Sequence, residues 1–421
     1  MTALNLGWIR NQFPALTQDI NGQPAIFLDG PGGTQVPRTV VEAISDYLIT
    51  SNANAHGAFA TSQRTDTLIA SARSAVADFL GCDGDEIVFG ASMTALAFSV
   101  SRAIGRDLQA GDEIIVTQLD HYANVSPWRA LEERGVIIRT VDIQVDDCTL
   151  DLADLERSLN DRTRLVAIGY ASNAVGTIND VANVVQLARQ VGAWVFVDAV
   201  HYAPHGAIDV RTLDCDFLAC SAYKFFGPHV GVLYVKREHL ARLHPYKVEP
   251  APEEVPSRWE NGTLNHEGLA GLVETIHYLT ELGYQISPTA AGRRAALVAG
   301  MTAIQSYEQE LSQMLLAGLQ QIPGLKVYGI TDRDRLIWRT PTVGVRLAGQ
   351  TPRSVAQQLG DRGIFTWNGN FYAIGLTEAL SIETSGGLLR IGLVHYNTVD
   401  EINQLLKALD EIAASAIYML A

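Results

Sequence analysis

Seven short runs rich in Val and Ile constrain this chain more than any other feature. They are Glu86–Gly90, Glu113–Thr117, Val136–Val141, Leu165–Tyr170, Trp194–Asp198, Phe217–Cys220 and Gly231–Val235. Their nearly continuous apolar character predicts strands covered on both faces, because a strand with one wet face alternates instead. Segments with helical spacing lie between them, Asp180–Val191 being one. Strand and helix alternating on this scale builds an α/β fold, a mostly parallel sheet with helices on both sides. Such sheets bind ligands beyond the carboxyl ends of their strands. Polar residues directly after the runs are therefore the candidates for function.

Downstream the pattern changes. After the Pro- and Glu-rich stretch Val248–Pro256, helical periodicity covers roughly 267–283 and 289–322. Strand-like pieces follow near 325–330, 341–347, 364–367 and 388–392, and an amphipathic helix begins near Val399. At 421 residues the chain has room for two or three domains of about 150 residues. The expected division is a large α/β domain over 25–285 and a smaller α+β domain made of 1–24 and 286–421.

Composition removes several functions. Asp plus Glu number 46 and Lys plus Arg 31, a formal net charge of −15, which is wrong for a surface that must neutralise nucleic-acid phosphates. No stretch approaches 18 uninterrupted apolar residues, so no spanning helix and no membrane partner are expected. The first ten residues lack a basic segment followed by an apolar run and a cleavage site. Cys82, Cys148, Cys215 and Cys220 are scattered and make neither a Cys-x-x-Cys pair nor a disulfide framework. A reducing cytoplasm is the expected location.

Lysine is scarce: only Lys224, Lys236, Lys247, Lys326 and Lys407 occur. Lys224 alone follows a buried run directly, in the turn Cys220-Ser-Ala-Tyr-Lys-Phe-Phe-Gly-Pro228. A lysine between aromatics at a strand end can be desolvated, which lowers its pKa and makes the amine a carbonyl nucleophile. The alternative is a surface lysine whose stem lies on apolar neighbours. Asp198 ends the run Trp194–Asp198, where a carboxylate needs a cation or a donor; its alternative role is to cap the following segment. A lysine to carry an aldehyde and an aspartate to face a pyridinium nitrogen are the pair that pyridoxal phosphate demands. A phosphate wants backbone N–H groups and hydroxyls at a helix start, and Gly90-Ala-Ser-Met-Thr94 offers them through Met93 and Thr94. Asp29-Gly-Pro-Gly-Gly33 lacks the Gly-x-Gly-x-x-Gly spacing of a dinucleotide loop.

Two rival motifs are weaker. Ser221-Ala-Tyr-Lys224 fits Ser-x-x-Lys, but neither Ser-Asp-Asn nor Lys-Thr-Gly completes it. Asp198, His201 and His205 resemble metal ligands, yet Pro204 breaks the helix that an i, i+4 His pair requires. No metal is expected.

Further motifs run along nearly the whole chain, from Phe27-Leu-Asp-Gly30 to Arg390-Ile-Gly-Leu-Val-His-Tyr-Asn-Thr398. Between them lie Gly111–Asn124, Ala171-Ser-Asn-Ala-Val-Gly-Thr177, Val197-Asp-Ala-Val-His201, Ser221-Ala-Tyr-Lys224 and Arg258-Trp-Glu-Asn-Gly-Thr263. With these the sequence resembles the class V aminotransferase family of fold type I pyridoxal phosphate enzymes, most of all its cysteine desulfurase and selenocysteine lyase branch. The resemblance implies a large seven-stranded sheet domain, an amino-acid substrate and a homodimer with sites at the interface. It implies that Lys224 carries the cofactor, Asp198 faces its ring nitrogen and His121 stacks on its ring. It gives Asn173 to cofactor and substrate, and His201 to the neighbourhood of the ring hydroxyl. Met93, Thr94, Ser221 and Tyr223 would surround the phosphate, with Thr263 reaching the phosphate of the partner subunit. Arg390 would grip the substrate α-carboxylate, a task suited to a planar fork.

One segment departs from the family. Desulfurases of this type carry a loop Arg-Thr-Gly-His-His-Cys whose thiolate accepts sulfur. Here the loop reads Trp367-Asn-Gly-Asn-Phe-Tyr372-Ala, with Tyr372 in the place of the cysteine and Trp367 in that of the arginine. The expected activity is a carbon–sulfur or carbon–selenium lyase on a cysteine-like amino acid, working without an enzyme persulfide. Alternatives are an aminotransferase or epimerase and, more remotely, a dead paralogue kept as an interaction module. Retention of Lys224, Asp198, His121 and Arg390 together speaks against the last.

Overall fold

The computed structural model describes residues 4–420. Its main sheet has seven strands: β1 (Ile87–Gly90), β2 (Glu113–Thr117), β3 (Ile137–Val141), β4 (Thr163–Gly169), β5 (Trp194–Asp198), β6 (Phe217–Ser221) and β7 (Gly231–Val235). Their order across the sheet is β1-β7-β6-β5-β4-β2-β3. Only β7 runs against the others, pairing antiparallel with β6 and β1. All seven Val/Ile runs are therefore strands of one sheet.

The continuous apolar runs are explained by two covered faces. Val195 and Val197 enter one core cluster while Phe196 between them enters the other. Leu218 and Cys220 divide from Phe217 and Ala219 in the same way. Each large side chain removed from water contributes roughly 1.5–3 kcal/mol, and both faces of every central strand collect it.

Helices start where side chains satisfy free backbone donors. In α1 (Met93–Ile104) the Ser92 side chain accepts the Ala95 N–H at 3.2 Å; in α2 (Val181–Gln190) Asp180 accepts that of Asn183 at 3.2 Å. Two long helices follow the sheet, α3 (His266–Ile286) and α4 (Arg293–Leu319). The N-terminal residues pack onto α3 and the C-terminal strand region together: the Phe13 ring meets Tyr278, Phe226, His395 and Tyr396 edge-on.

A second sheet has four strands, β8 (Leu325–Tyr328), β9 (Thr342–Leu347), β10 (Trp367–Gly369) and β11 (Leu388–Gly392), in the order β8-β9-β11-β10, all antiparallel. It shares a core with α4 and with α5 (Val399–Leu420). The single strand expected near 364–367 is in fact two. Ile364–Phe365 pairs with Ile26–Phe27, whereas β10 joins the second sheet. The break between them falls at Thr366, and it lets one short stretch serve two sheets. The other element bounds fall within a few residues of those expected. Among the described residues no helix is long and apolar enough to cross a membrane.

Candidate active site

The carboxyl ends of β1, β2, β4, β5 and β6 open onto one cavity of about 560 Å³, within the range of small-molecule sites. Every residue that the pyridoxal phosphate reading named, except Thr263, lines it. Thr263 is exposed and lies outside this cavity.

Lys224 sits in a single helical turn directly after β6. Its Nζ donates to the Pro31 carbonyl and lies 4.7 Å from the centroid of the Tyr223 ring. Burial pushes the amine down to about 7, helped by the Arg390 charge and opposed by Asp198 and Asp29. An amine titrating there is a base and nucleophile at neutral pH.

Asp198 ends β5 and is 8% exposed. Its Oδ1 accepts the Val200 N–H at 2.9 Å, and burial raises its pKa to about 6. A buried carboxylate with so little compensation is suited to a ring N–H⁺ donor facing it. Asp120, also fully enclosed, lies behind it. Its carboxyl accepts the Gly169 N–H at 2.5 Å, and burial, followed by the Asp198 charge, holds its pKa far above the carboxylate range. Gly169 is required here, since any Cβ would collide with Asp120.

His121 caps the turn after β2, its Nδ1 accepting the Ala123 N–H at 3.0 Å. Burial lowers its pKa to about 4, with Lys224 and Arg390 adding repulsion. The ring is therefore neutral with its proton on Nε2, a flat apolar-faced wall for an aromatic ligand. His201 bonds Thr340 Oγ1 through Nε2 at 3.2 Å, and burial keeps it deprotonated. His205, which the metal reading grouped with it, pairs instead with Glu308 at 2.7 Å and does not line the cavity.

At the start of α1 the Met93 N–H donates to Ser221 Oγ at 3.1 Å, and Thr94 is exposed beside it. This N-terminus, with two hydroxyls and a positive helix end, is suited to a phosphate. Tyr223 stacks on His229, with ring centroids 4.8 Å apart.

Arg390 lies on β11, only 4% exposed. Its Nη1 donates to the Asn173 carbonyl at 2.9 Å, the Phe371 ring covers its face at 4.1 Å, and its Nε has no partner. Burial lowers the guanidinium to about 9. A buried cation with an unpartnered Nε is suited to a carboxylate ligand. Asn173 reaches across to the Phe371 carbonyl at 2.9 Å.

The segment from Trp367 to Tyr372, made of β10 and the turn after it, forms the rim. Phe371 and Tyr372 both have left-handed backbones, φ 56° and 60°, costly for bulky residues. Three bonds compensate: Asn370 Oδ1 accepts the Tyr372 N–H, Asn173 holds the Phe371 carbonyl, and the Tyr122 N–H holds that of Tyr372. Tyr372 is 68% exposed, its ring 5.3 Å from that of His121. None of the four cysteines lines the cavity. Burial raises Cys148 to about 11 and Cys215 to about 12, and pushes Cys82 and Cys220 further up.

Asp120 and Asp29 escaped the sequence reading. Asp120 directly precedes His121 at a strand end, which was the available signal. Asp29, raised to about 6 by burial with its Oδ1 unpartnered, gave none.

The mostly parallel seven-stranded sheet, with Lys224, Asp198 and His121 gathered at its carboxyl edge, has the architecture of the fold type I class of pyridoxal phosphate enzymes. The family model "Aminotransferase class-V" matches residues 26–405. The chain belongs to that family of enzymes, and it resembles its cysteine desulfurases. A probable cysteine desulfurase of Halalkalibacterium halodurans is 31% identical, over 97% of this chain and 98% of the relative. An "aminotransferase-like protein FGM3" of Gibberella zeae is 32% identical, over 96% and 97%. The apo structure of a cysteine desulfurase from Thermococcus onnurineus superposes with a TM-score of 0.87 at 27% identity, covering 99% of both chains.

Proposed function

We propose that this chain holds pyridoxal phosphate on Lys224 and acts as a carbon–sulfur or carbon–selenium lyase on a cysteine-like amino acid, without an enzyme persulfide. The observation that carries the reading is the meeting, around one cavity, of a buried lysine amine, lowered by burial to about 7, and a buried arginine whose Nε has no partner. When bound, the cofactor supplies an aldehyde for amino groups and an electron sink for charge developing at Cα.

The residues then divide the work. Asp198 keeps the ring nitrogen protonated, His121 walls the ring, His201 faces its hydroxyl edge and Asn173 spans cofactor and substrate. Met93 N–H, Thr94, Ser221 and Tyr223 hold the phosphate at the start of α1. Arg390 takes the substrate α-carboxylate and turns the α-proton toward Lys224, whose neutral amine removes it. Such positioning is worth several kcal/mol. The sulfur or selenium leaves with the electron pair of its bond to Cβ, so elimination requires no acceptor thiol. The absence of any cysteine from the cavity lining agrees with that. Tyr372, exposed on the rim of the cavity, would either hydrogen-bond the departing atom or serve as a packed rim aromatic.

A homodimer belongs to the same reading, with exposed Thr263 serving the partner's phosphate; a monomer retaining full activity would refute it. So does a reducing cytoplasmic setting, in line with four free cysteines.

Transamination is the second reading, favoured by the aminotransferase-like relative and the missing loop cysteine. Incubation with L-cysteine, L-cystine and L-selenocysteine separates the two. Elimination releases pyruvate while the visible band returns unaided. Transamination bleaches the band until a keto acid is added, and epimerisation inverts Cα with no pyruvate. If no sulfur or selenium amino acid reacts, the lyase assignment is wrong. A colourless protein that cannot be reconstituted, with no Lys224 adduct after borohydride, would end the cofactor reading as well.

A further inference from the structure

The proposed reaction leaves the glycine-rich segment Asp29-Gly-Pro-Gly-Gly33 without a task, yet it touches three working parts. The Pro31 carbonyl accepts Lys224 Nζ. Next to it, the Thr34 N–H donates to the Tyr223 carbonyl at 3.1 Å and Thr34 Oγ1 accepts the Phe226 N–H at 2.8 Å. The segment is thus sewn to the turn that carries Lys224. On its other side the Leu28 carbonyl accepts the Gly392 N–H at 2.8 Å, and the Pro31 ring fills the space of a side chain at 392, two residues past Arg390. From the rim, the Trp367 indole covers Gly32. A Cβ built there would lie against its Nε1 and 3.0 Å from its Cδ1. Gly32 does not have a left-handed backbone, so the indole, and not torsion, is what demands glycine.

We infer that this segment is the seat of the free Lys224 amine. The Pro31 carbonyl holds and aims Nζ, and Trp367, pressing on Gly32, is the positioning residue that fixes the carbonyl. The physical reason lies in the lysine stem, whose freely turning bonds give the amine no preferred direction unless an acceptor supplies one. The titratable groups facing Lys224 are Asp198 from β5, Arg390 from β11 and Asp29, whose charges act on it, together with His121, His201 and Tyr223. Among the described residues, Pro31 is the direct hydrogen-bond acceptor of Nζ. The role in catalysis rests on Lys224 being the cofactor lysine. The geometry belongs to the chain alone.

The test uses the full chain as wild type, Gly32→Ala, Trp367→Ala and the double variant. In the apo protein, reductive methylation of Lys224 against pH, followed by mass spectrometry, reads the midpoint of the amine. A carbonyl acceptor favours the ammonium, so displacing it lowers the midpoint. Gly32→Ala should lower it by about one unit. Trp367→Ala should lower it less, because the carbonyl is loosened rather than displaced. The double variant should return to the Trp367→Ala value, since the clash has gone. With pyridoxal phosphate added, the rate of appearance of the visible band should follow the same order. An unchanged midpoint in Gly32→Ala, or a double variant no better than Gly32→Ala, overturns the inference. Should Gly32→Ala not fold, an unshifted midpoint in Trp367→Ala overturns it equally. If even the wild type takes up no cofactor, the functional reading fails while the methylation midpoints still decide this one.

Discussion

On the floor of the cavity Lys224, Asp198 and Asp120 stand at the ends of buried strands. The rim, Trp367 to Tyr372, is the edge strand β10 and the turn after it, with two exposed aromatics and left-handed backbone at Phe371 and Tyr372. The floor obtains its geometry from sheet registry and its electrostatics from burial, which moves Lys224 and Asp198 toward neutral pH from opposite sides. The rim is anchored by the pairing of β10 with β11, and its turn from Asn370 to Tyr372 is shaped by a few side-chain bonds made by Asn370 and Asn173. A floor of this kind is suited to the chemistry common to the family, whereas a turn held by a few bonds can be exchanged without disturbing it. That is where this chain departs from the desulfurases.

The floor is broken most severely by Lys224→Met. Turnover should fall by at least ~10³-fold, and borohydride should no longer fix a cofactor. The same change should stabilise the apo chain. The amine titrates at about 7 when folded against 10.5 unfolded. Its penalty is therefore fully present below about pH 7 and fades as the pH rises toward 10.5. Tm should accordingly rise on the order of 2–4 °C at pH 6 and by less at pH 9, read by calorimetry. An equal gain at both pH values would mean that desolvation of Lys224 is not the cause.

Arg390→Lys tests the wall that joins floor to rim. A point charge replaces a planar fork, so kcat/KM should drop roughly 10²-fold, mostly through KM. A drop confined to kcat would show that Arg390 does not bind the substrate carboxylate in the ground state.

Asn370→Ala attacks the rim alone, removing the acceptor of the Tyr372 N–H and a donor to Glu383 at 2.8 Å. About 1–2 kcal/mol of local stability should be lost, seen as faster amide exchange at 371–373 with the exchange of β5 and β6 unchanged. Spread of the effect into those strands would mean that floor and rim are one cooperative unit.

The smallest effect belongs to Tyr372→Phe. At 68% exposure the phenol is well solvated, so its removal should cost less than about threefold in pyruvate release. A loss of tenfold or more would make Tyr372 the proton donor to the leaving atom, and the rim part of the chemistry.

Floor and rim also differ in how far they could be read from residues. The strands were legible because two-sided burial writes unbroken Val and Ile into the sequence, and Lys224 and Asp198 stood out as polar groups at the ends of such runs. Asp120 was obscured by its neighbour His121, and its carboxyl matters through Gly169, forty-nine residues away. The split of 364–367 into two strands was illegible because four residues carry no periodicity that separates one sheet from another. The pairing of His205 with Glu308, 103 residues apart, likewise left no local mark.

By itself the sequence determined the layered α/β architecture, the strand ends at which a ligand can sit and the chemical types of the groups there. These follow from the period of burial and the scarcity of lysine, which are local properties. The tertiary structure alone decided that Arg390 meets the carbonyl of Asn173, 217 positions away, that its Nε is left without a partner, and that Trp367 covers Gly32. Those arrangements arise where two sheets close on one another, and packing between distant segments is set by volume and charge summed over many contacts, which no single stretch of sequence records.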